Sequence, residues 1–163
     1  MQEADQKSPV VAVIMGSSSD WGVMKGTADT LKKFGVPHEV RVMSAHRTPD
    51  EATAFAGGAA ARGLKILISA AGMAAHLGGV LAAHTTLPVI GVPMKGGAMD
   101  GIDALLSTVQ MPGGIPVATV AIGKAGAKNA GLLAVAVLAQ QDQGLHRKLA
   151  AYRKAMTEQV EAA

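Results

Sequence analysis

Five short apolar runs punctuate this chain, and each gives way to a segment of different periodicity. They are PVVAVIM (9–15), HEVRVM (38–43), LKILISAA (64–71), PVIGVPM (88–94) and VATVAIG (117–123). HEVRVM alternates, while the others are apolar almost throughout, as strands covered on both faces are. Behind the first, Met24, Ala28, Leu31 and Phe34 recur at helical spacing and Gly35 closes the segment. Pro49, Asp50 and Glu51 open a second helix that ends at Gly63, with Pro suited to the first turn and the acids to the helix dipole. Residues 73–85, 100–110 and 127–141 read as further helices. The 127–141 helix is apolar nearly all round, so it is expected to be buried. Strand and helix alternating over short connections predict a three-layer α/β domain on a doubly wound parallel sheet.

No repeat or internal boundary breaks the chain. The reading is a polar tail over residues 1–8 and one catalytic-size domain over 9–163, which includes a C-terminal helix extension at 142–161. Leu145, Leu149, Tyr152, Met156 and Val160 form a stripe on that helix, which must cover either its own sheet or a neighbouring subunit. With 49% apolar and 17% charged residues, a compact and oligomer-forming globule is expected, not a disordered chain. Trp21, Phe34, Phe55 and Tyr152 are the only aromatics, so Ala, Val, Leu, Ile and Met build the core. The scarcity of aromatics also removes the stacking platforms of single-strand nucleic-acid binders. The basic group Arg147, Lys148, Arg153 and Lys154 reads as a solvated helix face. No apolar run approaches the ~20 residues needed to cross a bilayer, and MQEADQKSP is unlike a secretory signal. With no cysteine in the chain, disulfides, thiolate metal sites and a cysteine nucleophile are excluded. The expected setting is cytoplasmic, without nucleic-acid or membrane partners.

Ligands of doubly wound sheets bind outside the carboxyl ends of the strands, so the residues just past each strand are diagnostic. After the first comes GSSSD, Gly16 to Asp20. Its free N–H groups and hydroxyls suit a phosphate at a helix N-terminus, and Asp20 can accept from sugar hydroxyls. The same residues serve equally as an ordinary helix cap. Neither this stretch nor GKAGAK (123–128) fits the P-loop or dinucleotide fingerprint. After the second strand comes SAHRTPD, residues 44–50. Ala45 lets a ligand approach the backbone, Arg47 can fork two hydrogen bonds onto a phosphate, and His46 is a side chain suited to carrying a proton near neutral pH. After the third strand His76 stands among small residues at a helix start. It is eight residues from His84, not the four of a metal-binding helical pair, so no metal site is expected. Any one of these signals has an innocent reading. Three successive strand ends carrying Ser/Asp, His/Arg and His imply a shared cleft.

GSSSD, SAHRTP and GMAAHL, in this order and spacing, closely resemble the 5-(carboxyamino)imidazole ribonucleotide mutase family of de novo purine synthesis. The resemblance extends through LPVIGVP and GIDALLSTVQMPGGIPVATVAIGKAGAKNAGLLA and covers roughly residues 9–140. It implies a flavodoxin-like fold, a homo-octamer with sites at subunit contacts, and no ATP, metal or other cofactor. It places Gly16, Ser17, Ser19 and Arg47 near a ribonucleotide phosphate and Asp20 near its ribose. Ser44, Ala45 and His46 would lie by the base and the migrating carboxylate, with Gly72, Ala75, His76 and Leu77 closing the pocket. His46 would carry the proton, with Ser44 and His76 completing the catalytic group. Two positions depart from the bacterial pattern: Gly78 stands where Pro is expected, and Met73 replaces a frequent glycine. The alternatives are a direct carbon dioxide-dependent carboxylase of the same group and a non-catalytic flavin- or nucleotide-binding module. A phosphoryl-accepting domain would want more aspartates at the strand ends than this chain has.

Overall fold

A computed structural model describes residues 8–162; of the expected tail, only Ser8 falls within that range. Strand β1 (Val11–Met15) is buried along its whole length. Side chains alternate across a strand, so Val11, Val13 and Met15 enter one core layer while Ala12 and Ile14 enter the other. A strand that is apolar on both faces must be covered on both. The chain does this with α1 (Trp21–Phe34) and α5 (Lys124–Leu138) on one side, and α2 (Pro49–Gly58) and α3 (Leu77–Ala83) on the other. Strands β2 (His38–Val42), β3 (Ile66–Ala71), β4 (Val89–Pro93) and β5 (Ala118–Thr119) complete the sheet, with α4 (Ile102–Val109) between β4 and β5 and α6 (Gln143–Glu161) last. All neighbours pair in parallel, in the order β2-β1-β3-β4-β5. The order reverses between β1 and β3, which opens a crevice at their carboxyl ends.

The shortage of aromatic residues sets the packing style. Helices α1 and α5 meet through small residues: a Cβ on Gly131 would come within 2.9 Å of Thr30 Cβ and 3.2 Å of the Thr27 carbonyl. Buried Thr27 donates its hydroxyl to the Ala127 carbonyl at 2.6 Å across that contact. Where the chain turns into α5, Gly126 lies so close to the backbone carbonyl of Ala121 that no Cβ has room there.

Several boundaries differ from those expected. The fifth strand shrinks from 117–123 to two residues. Its partner Pro93 has no N–H to donate, so the ladder lapses there and resumes only as a bond from Gly123 N–H to the Pro93 carbonyl. Helix α3 is seven residues long rather than thirteen, because residues 72–76 are spent on a loop. Helix α5 is buried along Ala127, Ala130, Ala134 and Val135, but Leu133 and Val137 stand exposed on the single chain, contrary to burial all round. On α6, Leu145, Leu149 and Tyr152 pack on the core, and Tyr152 meets Phe34 edge-on at 5.7 Å; Met156 and Val160 remain exposed.

Gly126→Ala should destabilise the fold by about 3 kcal/mol, because a rigid carbonyl, not a flexible side chain, opposes the added methyl. Chemical denaturation of the two proteins checks this.

Candidate active site

Parallel pairing places the carboxyl ends of β1 to β4 in one row, and the loops leaving them enclose a cavity of about 520 Å³. In the loop after β1, Gly16 N–H donates to the Ala70 carbonyl at 2.9 Å, tying the start of the loop to β3. Ser17 caps a 3-10 turn, Ser18–Asp20: its hydroxyl accepts from Ser19 N–H at 3.3 Å and from the Ser19 hydroxyl at 2.8 Å. The cap reading is therefore right for Ser17, yet Gly16, Ser17, Ser19 and Asp20 all line the cavity. Asp20 makes no side-chain cap bond to α1. Desolvation pushes its carboxyl above the usual Asp range, and the backbone of Ser17 partly opposes the shift.

In the loop after β2, Ser44 organises its neighbours. Its hydroxyl accepts from His46 N–H at 3.3 Å and Arg47 N–H at 3.1 Å, while Ser44 N–H donates to Thr48 Oγ1 at 2.9 Å. Pro49 then starts α2. These bonds hold His46 and Arg47 toward the crevice. Arg47 Nη2 donates to the Gly16 carbonyl at 2.9 Å, binding the second loop to the first. The guanidinium lies beside the serine turn, where an anion would meet both a forked donor and hydroxyls. Ala45 and Ser44 line the same wall.

The loop after β3 supplies the opposite wall. His46 Nε2 and His76 Nδ1 are 2.8 Å apart, within hydrogen-bond distance, and the rings meet edge-on at 80°. Gly72 and Leu77 also line the cavity, but Ala75 does not: it is buried behind the wall. His84 bonds the Val80 carbonyl and takes no part. Among the described residues, no three metal-ligating side chains gather. The two departures from the bacterial pattern acquire physical accounts. Met73 adopts φ 51°, a left-handed conformation that glycine takes freely and methionine at a cost of about 1 kcal/mol. A Cβ at Gly78 would lie 2.8 Å from the buried Ser69 hydroxyl, so any larger residue at this position requires that hydroxyl to turn away.

Sequence reasoning missed the fourth contributor. Met94, Lys95, Gly96 and Gly97 close the far side of the cavity. The signal was present in MKGGAM, a cation and two glycines directly after a buried strand. The strand-end rule applied to the first three strands applied to this one as well.

The sequence and the fold are both shared with known proteins. The sequence profile of the AIR carboxylase family matches residues 10–159. The chain is 58% identical over 150 residues to an N5-carboxyaminoimidazole ribonucleotide mutase of Brucella melitensis, covering 92% of this chain and 93% of that protein. It is 58% identical over 141 residues to the Bacillus subtilis protein of the same name, covering 86% and 87%. Against the Escherichia coli one it is 53% identical over 150 residues, covering 92% and 89%. The crystal structure of Treponema denticola PurE superposes with a TM-score of 0.85 at 29% identity, over 94% of this chain and 95% of that one. A fold and a sequence shared over this length have one source: the chain belongs to the AIR carboxylase family.

Proposed function

We propose that this chain is an N5-carboxyaminoimidazole ribonucleotide mutase of purine biosynthesis, moving a carboxylate from the exocyclic nitrogen of the nucleotide to a ring carbon. The observation that carries this reading is that one cavity holds an anion site and a histidine pair at separate places. Ser17, Ser19 and Arg47 meet at one, and His46 with His76 at the other. The phosphate takes the Gly16–Ser19 turn and Arg47, and the ribose hydroxyls take Asp20. The base lies against Ala45 and Gly72, with Leu77 and the buried Ala75 shaping the wall where the carboxylate migrates.

The chemistry rests on these positions. His46 gives a proton to the carbamate nitrogen as the N–C bond breaks, and the bonding pair stays on nitrogen. Carbon dioxide, now neutral, is trapped beside the ring carbon, whose electron pair forms the new bond. His46 then takes the proton from that carbon, so the cycle closes without net proton exchange. Ser44 holds the turn that presents His46, and His76 fixes its ring. The reaction needs neither ATP nor metal, since every proton and electron pair is supplied by substrate and imidazole. The name of the matching family profile favours direct carboxylation as the second reading. The mutase name is borne by the relatives at 53–58% identity.

The chain works as a homo-octamer in the cytoplasm. Ile102, Leu106 and Val109 on one face of α4, with Met99 before it, stand exposed on the single chain and suit a subunit contact. Among the described residues, no helix is long and apolar enough to cross a membrane. Light scattering should give eight times the mass of one chain; a monomer would refute the assembly.

Purified protein should convert the carboxyamino nucleotide without ATP, unchanged by a chelator and with little gain from bicarbonate. Dependence on bicarbonate with aminoimidazole ribonucleotide as substrate would establish the carboxylase instead. His46→Asn should lower kcat by about 10²–10⁴-fold while nucleotide affinity stays within about threefold. Near-normal turnover would remove His46 from its role. Arg47→Ala should act mainly on KM, raising it about tenfold or more through loss of the forked contact.

Asp20 makes a pH-dependent prediction. Its folded pKa is raised, so ionising it in the folded state opposes stability, and that penalty grows as pH rises above the ordinary Asp range. Asp20→Asn should therefore raise the Tm of the ligand-free protein at pH 7 by about 1–2 °C. The gain should vanish below about pH 4. The same variant should bind nucleotide more weakly, which calorimetry measures.

A further inference from the structure

The loop after β4 brings the cavity a cation to which the reaction scheme gives no part. Lys95 lines the cavity, and its ammonium lies 3.1 Å from Asp100 across its own loop, both side chains being 68% exposed. The loop is drawn closed at its base: a Cβ on Gly101 (φ 95°) would meet Lys95 Cα at 3.2 Å. Asp100 is itself held at φ 52°. A pair this exposed contributes little to stability, so fold stability does not account for a lysine at this position.

Position within the sheet says what Lys95 faces. In the order β2-β1-β3-β4, the loops carrying Arg47 and Lys95 stand at opposite ends of the row. The Arg47 guanidinium, however, reaches across to the Gly16 carbonyl after β1, so two strand spacings of about 4.8 Å separate the phosphate site from the β4 end, which is comparable to the length of a mononucleotide. With the phosphate at the Arg47 end, the base and its carboxylate point toward β3 and β4. Resting on the mutase reading above, we infer that Lys95 is a specificity residue that binds the carboxylate of the nucleotide, with Asp100 holding the ammonium until the nucleotide arrives. It thereby distinguishes carboxylated nucleotides from the bare aminoimidazole ribonucleotide.

The sign of its effect on rate is fixed by charge. Both the carbamate and the ring carboxylate are anions, whereas the carbon dioxide between them is neutral. A cation on the carboxylate stabilises both end states and not the step between, so it lowers KM without raising kcat.

The test compares Lys95→Met, Lys95→Arg and Asp100→Asn with wild type. Asparagine is among the residues that tolerate the left-handed conformation of position 100, so that variant should fold. Melting curves confirm folding for all three. For Lys95→Met, KM for both carboxylated nucleotides should rise about tenfold, with kcat unchanged or higher. Its Kd for aminoimidazole ribonucleotide, measured by calorimetry, should stay within about twofold of wild type. Lys95→Arg should recover most of the lost affinity. Asp100→Asn should lower KM by about threefold, since the lysine no longer has a competing partner. Equal loss of affinity for carboxylated and bare nucleotides would overturn the inference by placing Lys95 on the phosphate. So would a fall in kcat at constant KM, no change at all, or an Asp100→Asn loss as large as that of Lys95→Met. If wild type itself interconverts no carboxylated nucleotide, the mutase reading fails first; if wild type is active and the discrimination is absent, only the role of Lys95 fails.

Discussion

The pairing of β1 on both sides holds this molecule in its present form. Val11–Met15 is fully buried and bonds in parallel to β2 along one edge and β3 along the other. Its register aligns Met15 with Val42 and Ala70, so the three strands reach the same level before their loops begin. A slip of one residue would exchange its two core layers and carry the serine turn out of reach of its neighbours. The cleft is a consequence of that alignment.

The loops do not merely lie near one another; they are stitched. Gly16 bonds Ala70, Arg47 bonds Gly16, and His46 bonds His76. Each stitch joins segments at least thirty residues apart in sequence, and each uses a residue that also lines the cavity or stands at its edge. Positioning and binding are thus carried by the same few groups. Strain is placed there as well, in the left-handed backbone of Met73 and Asp100 on the loops after β3 and β4. Such conformations persist where the surroundings over-determine them, as they do at functional sites.

Small residues set the proportions of the rest. Gly131 and alanines at 127, 130 and 134 let α5 lie close against α1, while Gly126 lets the chain fold tightly into α5 against the Ala121 carbonyl. In β4, a Cβ on Gly91 would strike the side chain of Thr108, so α4 also sits tightly on the sheet. A core built this way tolerates enlargement poorly. It also leaves the larger apolar side chains of α4 on the outside, where a neighbour can use them.

Much of this was written in the residue order. Apolar runs of strand length separated by helical periodicity foretold the class of fold, and GSSSD, SAHRTP and GMAAHL at three successive strand ends pointed to residues that line one cavity, Ala75 excepted and the loop after β4 overlooked. These are local properties, set by side-chain period and by the backbone needs of turns. What the order of residues left open was non-local. The strand order, the truncation of β5 at Pro93, the exposed side of α5, the His46–His76 contact and the entry of Lys95 into the cavity depend on which distant segments become neighbours. Packing in three dimensions decides that, because the free energy of each contact belongs to a pair, and neither member of the pair carries it alone.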